Sequence, residues 1–211
     1  MSNYKLYYAP GTCSLAVHVV LHEVGEKFEL VKEDIKAKPR NPEYLKLNPR
    51  GSVPILEVDG KILREGAAIL AYIAEEHKSP LLPASGWERA KAQEWLAFAN
   101  STMHPVYGRL FGLKGRLGDK AVEDAGYSIG VETIQKYWDE VESVLEKSEY
   151  IAGNDITLGD ILLTVIASWT PIVSKDNRFG AKTQAWLKKV AARPTYVKAV
   201  EHEKQGVKHA A

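Results

Sequence analysis

The two halves of this chain distribute apolar and polar positions differently. Over the first 78 residues, short strand-like runs alternate with stretches of helical periodicity. Tyr4 to Ala9 is an aromatic-rich run that predicts a strand, and Pro10-Gly11 breaks it. Ser14 to Val24 carries Leu15, Val19 and Val20 at helical spacing. Phe28 to Val31 predicts a second strand. Val53 to Val58 and Ile62-Leu63 flank Asp59-Gly60, a two-residue hairpin signal. From Glu65 onward, Ile69, Leu70 and Ile73 keep the 3.6-residue period of a helix. The order βαβ followed by ββα combines one parallel crossover with one hairpin. It predicts a small mixed sheet covered by helices.

Residues 79–86 (SPLLPASG) concentrate Pro, Ser and Gly and read as a linker, beyond which the strand signals stop. Helices are predicted over Trp87 to Tyr107, Gly126 to Ser148, Thr157 to Val173 and Thr183 to Ala192. His104, followed by Pro105, falls at the end of the first. In the second, Ile134, Tyr137, Trp138, Val141 and Leu145 mark one face. The third opens on Thr157-Leu158-Gly159-Asp160, a capping pattern that Ile156 and Ile161 are placed to staple. Asp160 is the one acid in that apolar helix, so its expected role is structural, capping with Thr157. Its substitution is expected to cost roughly 0.5–2 kcal/mol. Glu203 to Ala211 is polar and small and is expected to fray. The organisation read is an α/β domain over 1–78, a linker over 79–86 and an all-α domain over 87–211.

Composition narrows the functional classes. With 45% hydrophobic and 26% charged residues the chain can bury an ordinary core. A net charge of +1 supplies no global field for nucleic acid or an acidic membrane, so a small neutral or zwitterionic ligand fits better. Ile161 to Val173, the longest nearly apolar stretch, is too short to span a bilayer. The first residues show neither a cationic region nor an apolar one that would mark export. A single cysteine has no intrachain disulfide partner and suits a reducing, cytoplasmic setting.

That cysteine, Cys13, follows a strand and a Pro-Gly turn and precedes a helix. A thiol there meets unpaired amides and the positive end of the helix dipole, which predicts a lowered pKa. A small buried hydrophobe is the alternative reading. Pro54, in Gly51-Ser52-Val53-Pro54-Ile55-Leu56, belongs at a strand start or edge because it cannot donate to a ladder. From sequence alone its peptide bond is expected to be trans, whereas a cis bond would turn the adjacent backbone toward an extended peptide ligand. Glu65-Gly66 opens a helix whose free amides suit a carboxylate, with Glu65 beside it for an ammonium group. The alternative reading is that Glu65 only favours the helix dipole. His18 and His22 have the i, i+4 spacing of metal ligands but no evident third ligand, so no metal is expected. There is no phosphate loop or dinucleotide fingerprint.

The first half resembles the thioredoxin-like domain of glutathione S-transferases. YYAPGTCSLAVHVVLHEVG is similar to the opening of the bacterial beta class, with Cys13 at that class's characteristic cysteine. NPRGSVPILEVDGKILREGAAILAYI resembles the family's glutathione-binding segment. ERAKAQEWLAFANSTMHP and YIAGNDITLGDILLTVIASWTP continue the match, which runs from Tyr4 to about Val200. The resemblance implies a thioredoxin-like βαβ-ββα domain followed by an all-helical one. Glutathione would be the cosubstrate, a small hydrophobic electrophile the partner, and the assembly a homodimer, without nucleic acid or membrane. By the same resemblance, Val53 pairs its backbone with the cysteinyl part of glutathione next to a cis Pro54. Glu65 and Gly66 hold the γ-glutamyl group, and Lys38 meets the glycyl carboxylate. His104 lies near the catalytic Cys13.

Departures from the class fall at Ala97, Thr102 and Pro105, where members often carry Asn, Glu and Lys. Tyr107, Phe111 and Trp169 are candidates to wall the cosubstrate pocket, or to form core. Two chemistries follow: conjugation of glutathione to electrophiles, with low turnover on aryl halides, and thiol-disulfide exchange through Cys13, with thiol-transferase or peroxidase side activity. The alternative function is a non-catalytic glutathione-binding or regulatory protein on the same fold.

Overall fold

A computed structural model describes residues 3–113, 115–206 and 209–210. The chain divides into two compact units, Met1–Ala84 with Ala191–Ala211, and Ser85–Val190. The sequence assigns all of 87–211 to one helical domain. The closing segment instead belongs with the first unit, because it packs on that unit's central helix.

In the first unit, β1 (Tyr4–Tyr8), α1 (Ser14–Glu23) and β2 (Phe28–Lys32) make a parallel crossover. After α2 (Pro42–Leu47), the hairpin β3 (Ile55–Val58) and β4 (Lys61–Arg64) adds antiparallel to β1, and α3 (Gly66–Glu76) follows. The hairpin turns through Asp59 and Gly60, both at positive φ, which suits the Asp-Gly pair. Burial alternates along β1: Tyr4, Leu6 and Tyr8 are buried, Lys5 and Tyr7 less so. Tyr8 meets His18 of α1, and Tyr4 meets His77 at the end of α3, so these two helices cover one face of the sheet. On the other face, Tyr44 of α2 packs with Ala9, Val53 and Ile55, flanked by Tyr7.

The chain end corrects the sequence reading. Rather than fraying, residues from Pro194 form α10 (Pro194–Gln205), packed on α1, and β5 (His209–Ala210) pairs antiparallel with β2. The sheet order is β4-β3-β1-β2-β5. Glu203, the first residue of the stretch expected to fray, is 6% exposed. At the near end of α10, Arg193 makes a two-point contact with the Glu23 carboxylate, at 2.8 and 2.7 Å.

The second unit holds α4 (Gly86–Ala97), α5 (His104–Leu113), α6 (Lys120–Leu145), α7 (Leu158–Ala167), α8 (Thr170–Val173) and α9 (Ala181–Ala191), the last reaching its boundary. Between α4 and α5, Phe98–Met103 is a π-helical stretch in which the His104 N–H reaches back to Ala99. The sequence places His104 at the end of a helix; it opens α5 instead. Pro105 lacks an N–H and its ring crowds the preceding turn, and the wider π turn carries the helix past it.

Every residue of α7 is buried, and its close approach to α4 depends on Gly159: a Cβ there would lie 3.1 Å from the Trp95 backbone. Asp160 closes a capping box with Thr157 and does more than cap. Its carboxylate accepts from the Thr157 N–H and hydroxyl at 2.7 and 2.8 Å, from the Ile151 N–H at 3.1 Å, and from the Trp186 indole at 2.9 Å. Burial pushes this carboxyl's pKa up, and those four donors oppose the shift.

Four donors lose their partner together in Asp160→Ala, so its cost is expected to exceed that of a simple cap. Urea unfolding should show a loss of about 3 kcal/mol or more for Asp160→Ala, against about 1 kcal/mol for Thr157→Ala. Equal, small losses would contradict the four-bond account.

Candidate functional site

Cys13 is the N-cap of α1, and the turn that delivers it is closed by short-range hydrogen bonds. The Ala9 carbonyl accepts from the Thr12 N–H at 3.2 Å, the Thr12 hydroxyl at 2.8 Å and the Ser14 hydroxyl at 3.2 Å. Gly11, at φ +72°, supplies the positive φ that the turn needs. Its N–H donates to Glu203 of α10 at 3.3 Å, so the C-terminal helix also braces this turn.

The partly buried Cys13 thiol donates to the Val53 carbonyl at 3.6 Å. Val53 precedes β3, and the Val53–Pro54 bond is cis, against the trans expectation from sequence alone. A second cis bond, Lys38–Pro39, went unnoticed in the sequence. Short helix α2, also missed from sequence, fixes the approach to Val53. The Ser52 carbonyl accepts from the Tyr44 hydroxyl at 2.6 Å and the Asn48 amide at 2.8 Å. The Val53 N–H has no hydrogen-bond partner among the described residues.

Glu65 is the N-cap of α3 and adopts φ 72°, ψ 114°, a conformation that costs an L-residue roughly 1–3 kcal/mol. Such strain persists where the surroundings impose it, often at ligand sites. Its exposed carboxylate pairs with Arg50 at 2.7 Å. Arg50 is a charged neighbour that the sequence reading missed, and no periodic pattern marks it. Gly66 begins α3, while Lys38 lies exposed between β2 and α2. Cys13, Val53, Pro54, Lys38, Glu65 and Gly66 all belong to the first unit.

The other candidates belong to the second unit. His104, Tyr107 and Phe111 of α5 gather around the Trp169 indole, with ring centroids 5.2, 6.0 and 5.8 Å from it. Tyr107 is fully buried, and its hydroxyl is bonded to Thr170 at 2.5 Å and to the Trp138 indole at 2.8 Å. Phe111 is half-exposed. Burial lowers the pKa of His104, which favours the neutral imidazole.

The structure reverses one electrostatic expectation. Burial pushes the Cys13 thiol up to about 11; the Cys13 and Ser14 amides pull it down, and Glu65 adds to the rise. The helix terminus acts in the expected direction, but desolvation outweighs it. At neutral pH the group is a thiol and a hydrogen-bond donor.

Two family models match the chain: glutathione S-transferase, N-terminal domain, over residues 2–75, and glutathione S-transferase, C-terminal domain, over residues 112–194. It is 36% identical over 167 residues to glutathione S-transferase GST-4.5 of Xanthomonas campestris pv. campestris, covering 78% of this chain and 81% of that one. It is similar to the bacterial beta class glutathione S-transferase of Sphingomonas chungbukensis, with TM-score 0.82 and 31% identity over 94% of this chain and 98% of the other. A sphingomonad glutathione S-transferase complexed with glutathione matches with TM-score 0.82 and 33% identity, over 95% and 98%. Among the described residues no helix is long and apolar enough to cross a membrane.

Because the folded thiol's pKa is raised, the thiolate fraction at pH 7 should be small and should grow as pH climbs toward 11. The rate of Cys13 alkylation by iodoacetamide in the ligand-free protein should therefore still be rising above pH 9. A rate that levels off below pH 8 would contradict this.

Proposed function

From the membership of this chain in the glutathione S-transferase family, whose cosubstrate is glutathione, we propose that it conjugates glutathione to small hydrophobic electrophiles at a site centred on Cys13. The observation that carries the reading is the 3.6 Å contact between the Cys13 thiol and the Val53 carbonyl. An extended thiol peptide pairing with the Val53 backbone has its sulfur beside Cys13. Residues 1–78 bind glutathione in this reading, and the helical residues after the 79–86 linker supply the electrophile's pocket.

The γ-glutamyl carboxylate lies at the first amides of α3, where Gly66 lets it approach and the helix dipole favours it. Its ammonium group faces Glu65, which the Arg50 ion pair holds in place. Lys38 takes the glycyl carboxylate. Trp169, with Phe111 exposed beside it, walls the electrophile's pocket, while the fully bonded Tyr107 supports Trp169 from the core. His104, whose pKa burial lowers, is a proton acceptor by its chemistry. The protein acts as a cytoplasmic homodimer.

A protonated Cys13 favours conjugation. The glutathione thiol gives its proton to solvent, and the Cys13 S–H exchanges the Val53 carbonyl for the resulting thiolate and stabilises it. That thiolate attacks the electrophile, displacing a leaving group such as the halide of an aryl halide. Thiol-disulfide exchange is the second chemistry: the Cys13 thiolate attacks oxidised glutathione, a mixed disulfide forms, and one glutathione thiolate leaves. The raised pKa makes this step slow at neutral pH.

Retention on immobilised glutathione, then conjugation of an aryl halide, tests the reading. Wild type and Cys13→Ala should both be retained, and Cys13→Ala should lose on the order of 100-fold in kcat, the cost of one donor to a developing anion. Cys13→Ser keeps a donor and should lose less. No retention and no activity in the wild type would overturn the function. Unchanged kcat in Cys13→Ala would overturn the role given to Cys13 alone. After treatment with oxidised glutathione, a one-glutathionyl mass gain absent from Cys13→Ser would identify the exchange chemistry.

A further inference from the structure

Three of the six histidines meet in the first unit, in a place the glutathione site does not use. His18 and His22 lie one turn apart on α1, and α10 brings His202 against both. Ring centroids are 5.1 Å apart for His18–His22 and His22–His202, and 5.8 Å for His18–His202. One possible ligand nitrogen from each lies within 4.8 Å of the others. His18 is 0% exposed and His22 8%, while His202 is partly exposed and leaves a way in.

The unpartnered atoms point to an occupant. His18 Nε2, His22 Nε2 and His202 Nδ1 are all buried without a hydrogen-bond partner among the described residues. One buried unpaired ring nitrogen costs stability, and three in one place call for a common partner. His18 also carries the support that metal-binding histidines need. Its Nδ1 lies 3.5 Å from a buried Glu203 oxygen, and in the tautomer whose Nδ1–H donates there Nε2 presents its lone pair to the cluster.

We propose that His18, His22 and His202 form a binding site for a first-row divalent metal ion of the zinc type, with Glu203 orienting His18 and water completing the coordination. Such a site needs neutral imidazoles. Burial and neighbouring positive charge lower the pKa of all three, His18 and His22 to about 3. Lys198 adds positive charge beside His22 and His202, and Glu201, near His202, opposes it; burial pushes the Glu203 carboxyl itself up to about 7. Tetrahedral zinc with bonds of about 2.0–2.1 Å brings nitrogens to about 3.4 Å of each other, so the rings must close by roughly 1 Å. The partly exposed His202 has the freedom to do so.

The site would staple α10 to α1 beside the Glu23–Arg193 pair. It would also hold Glu203, whose second oxygen accepts from Gly11 in the turn that carries Cys13.

Tag-free protein stripped with chelator and titrated with Zn2+, and separately with Co2+, against a chromophoric competitor tests the proposal. The wild type should take up one ion per chain, and Co2+ should give the visible absorption of a tetrahedral nitrogen-rich site. His22→Gln and His202→Gln should each weaken binding at least tenfold, and Glu203→Gln by about tenfold. His77→Gln should leave it unchanged. Failure of the wild type to take up either ion would overturn the proposal and assign the cluster to buried water. Equal uptake by wild type, His22→Gln and His202→Gln would overturn it too.

Discussion

Nine consecutive residues of α1, Ser14 to His22, are buried, held between the sheet, α3 and α10. A helix packed on so many sides can neither slide nor tilt without opening the core. Its N-cap is Cys13, so the sulfur's position is fixed by packing far from it. The turn before it adds local hydrogen bonds from Thr12 and Ser14 to the Ala9 carbonyl and a distant brace from Glu203 to Gly11. Facing it, α2 pins Ser52 and thereby Val53. Two independently anchored segments thus bring a thiol and a peptide edge together. Preorganisation of this kind is what a transferase needs, because the ligand's sulfur must be oriented before an electrophile arrives.

The same burial sets the chemistry of the thiol. A helix terminus alone would favour a thiolate, yet around Cys13 desolvation dominates and the group stays protonated. A thiol in that state suits donation to an incoming sulfur anion better than attack. On the far side of α1, burial leaves three imidazoles neutral and short of partners, a condition that suits a metal ion. Both properties come from one helix being enclosed.

Much of the first unit, and one helix cap of the second, was legible because the signals are local. The Asp59-Gly60 hairpin, the period of α1 and α3, and the Thr157–Asp160 cap each lie within a few residues. What was missed depended on distant contacts or on short signals left unread. Helix α2 has only six residues, too few for periodicity, although Asn41-Pro42 is a helix start. Helix α10 has Pro194 at its start and Gly206, in the left-handed region, at its end, but the polar composition from Glu203 onward suggested fraying. Only the contact with α1 explains its buried face. The third histidine, His202, lies 180 positions beyond His22 and meets it only through that contact. Desolvation of Cys13 is likewise a property of the packed structure, invisible in the motif around it.

The central claim is that the thiol of glutathione is held beside Cys13 at the Val53 edge. A crystal structure of the wild-type protein grown with reduced glutathione tests it most directly. The account predicts an extended peptide paired with the Val53 backbone, its sulfur within hydrogen-bonding reach of Cys13 Sγ and its γ-glutamyl carboxylate on the first amides of α3. Glutathione bound with its sulfur against another side chain, while the Cys13 thiol still donates to the Val53 carbonyl, would contradict it.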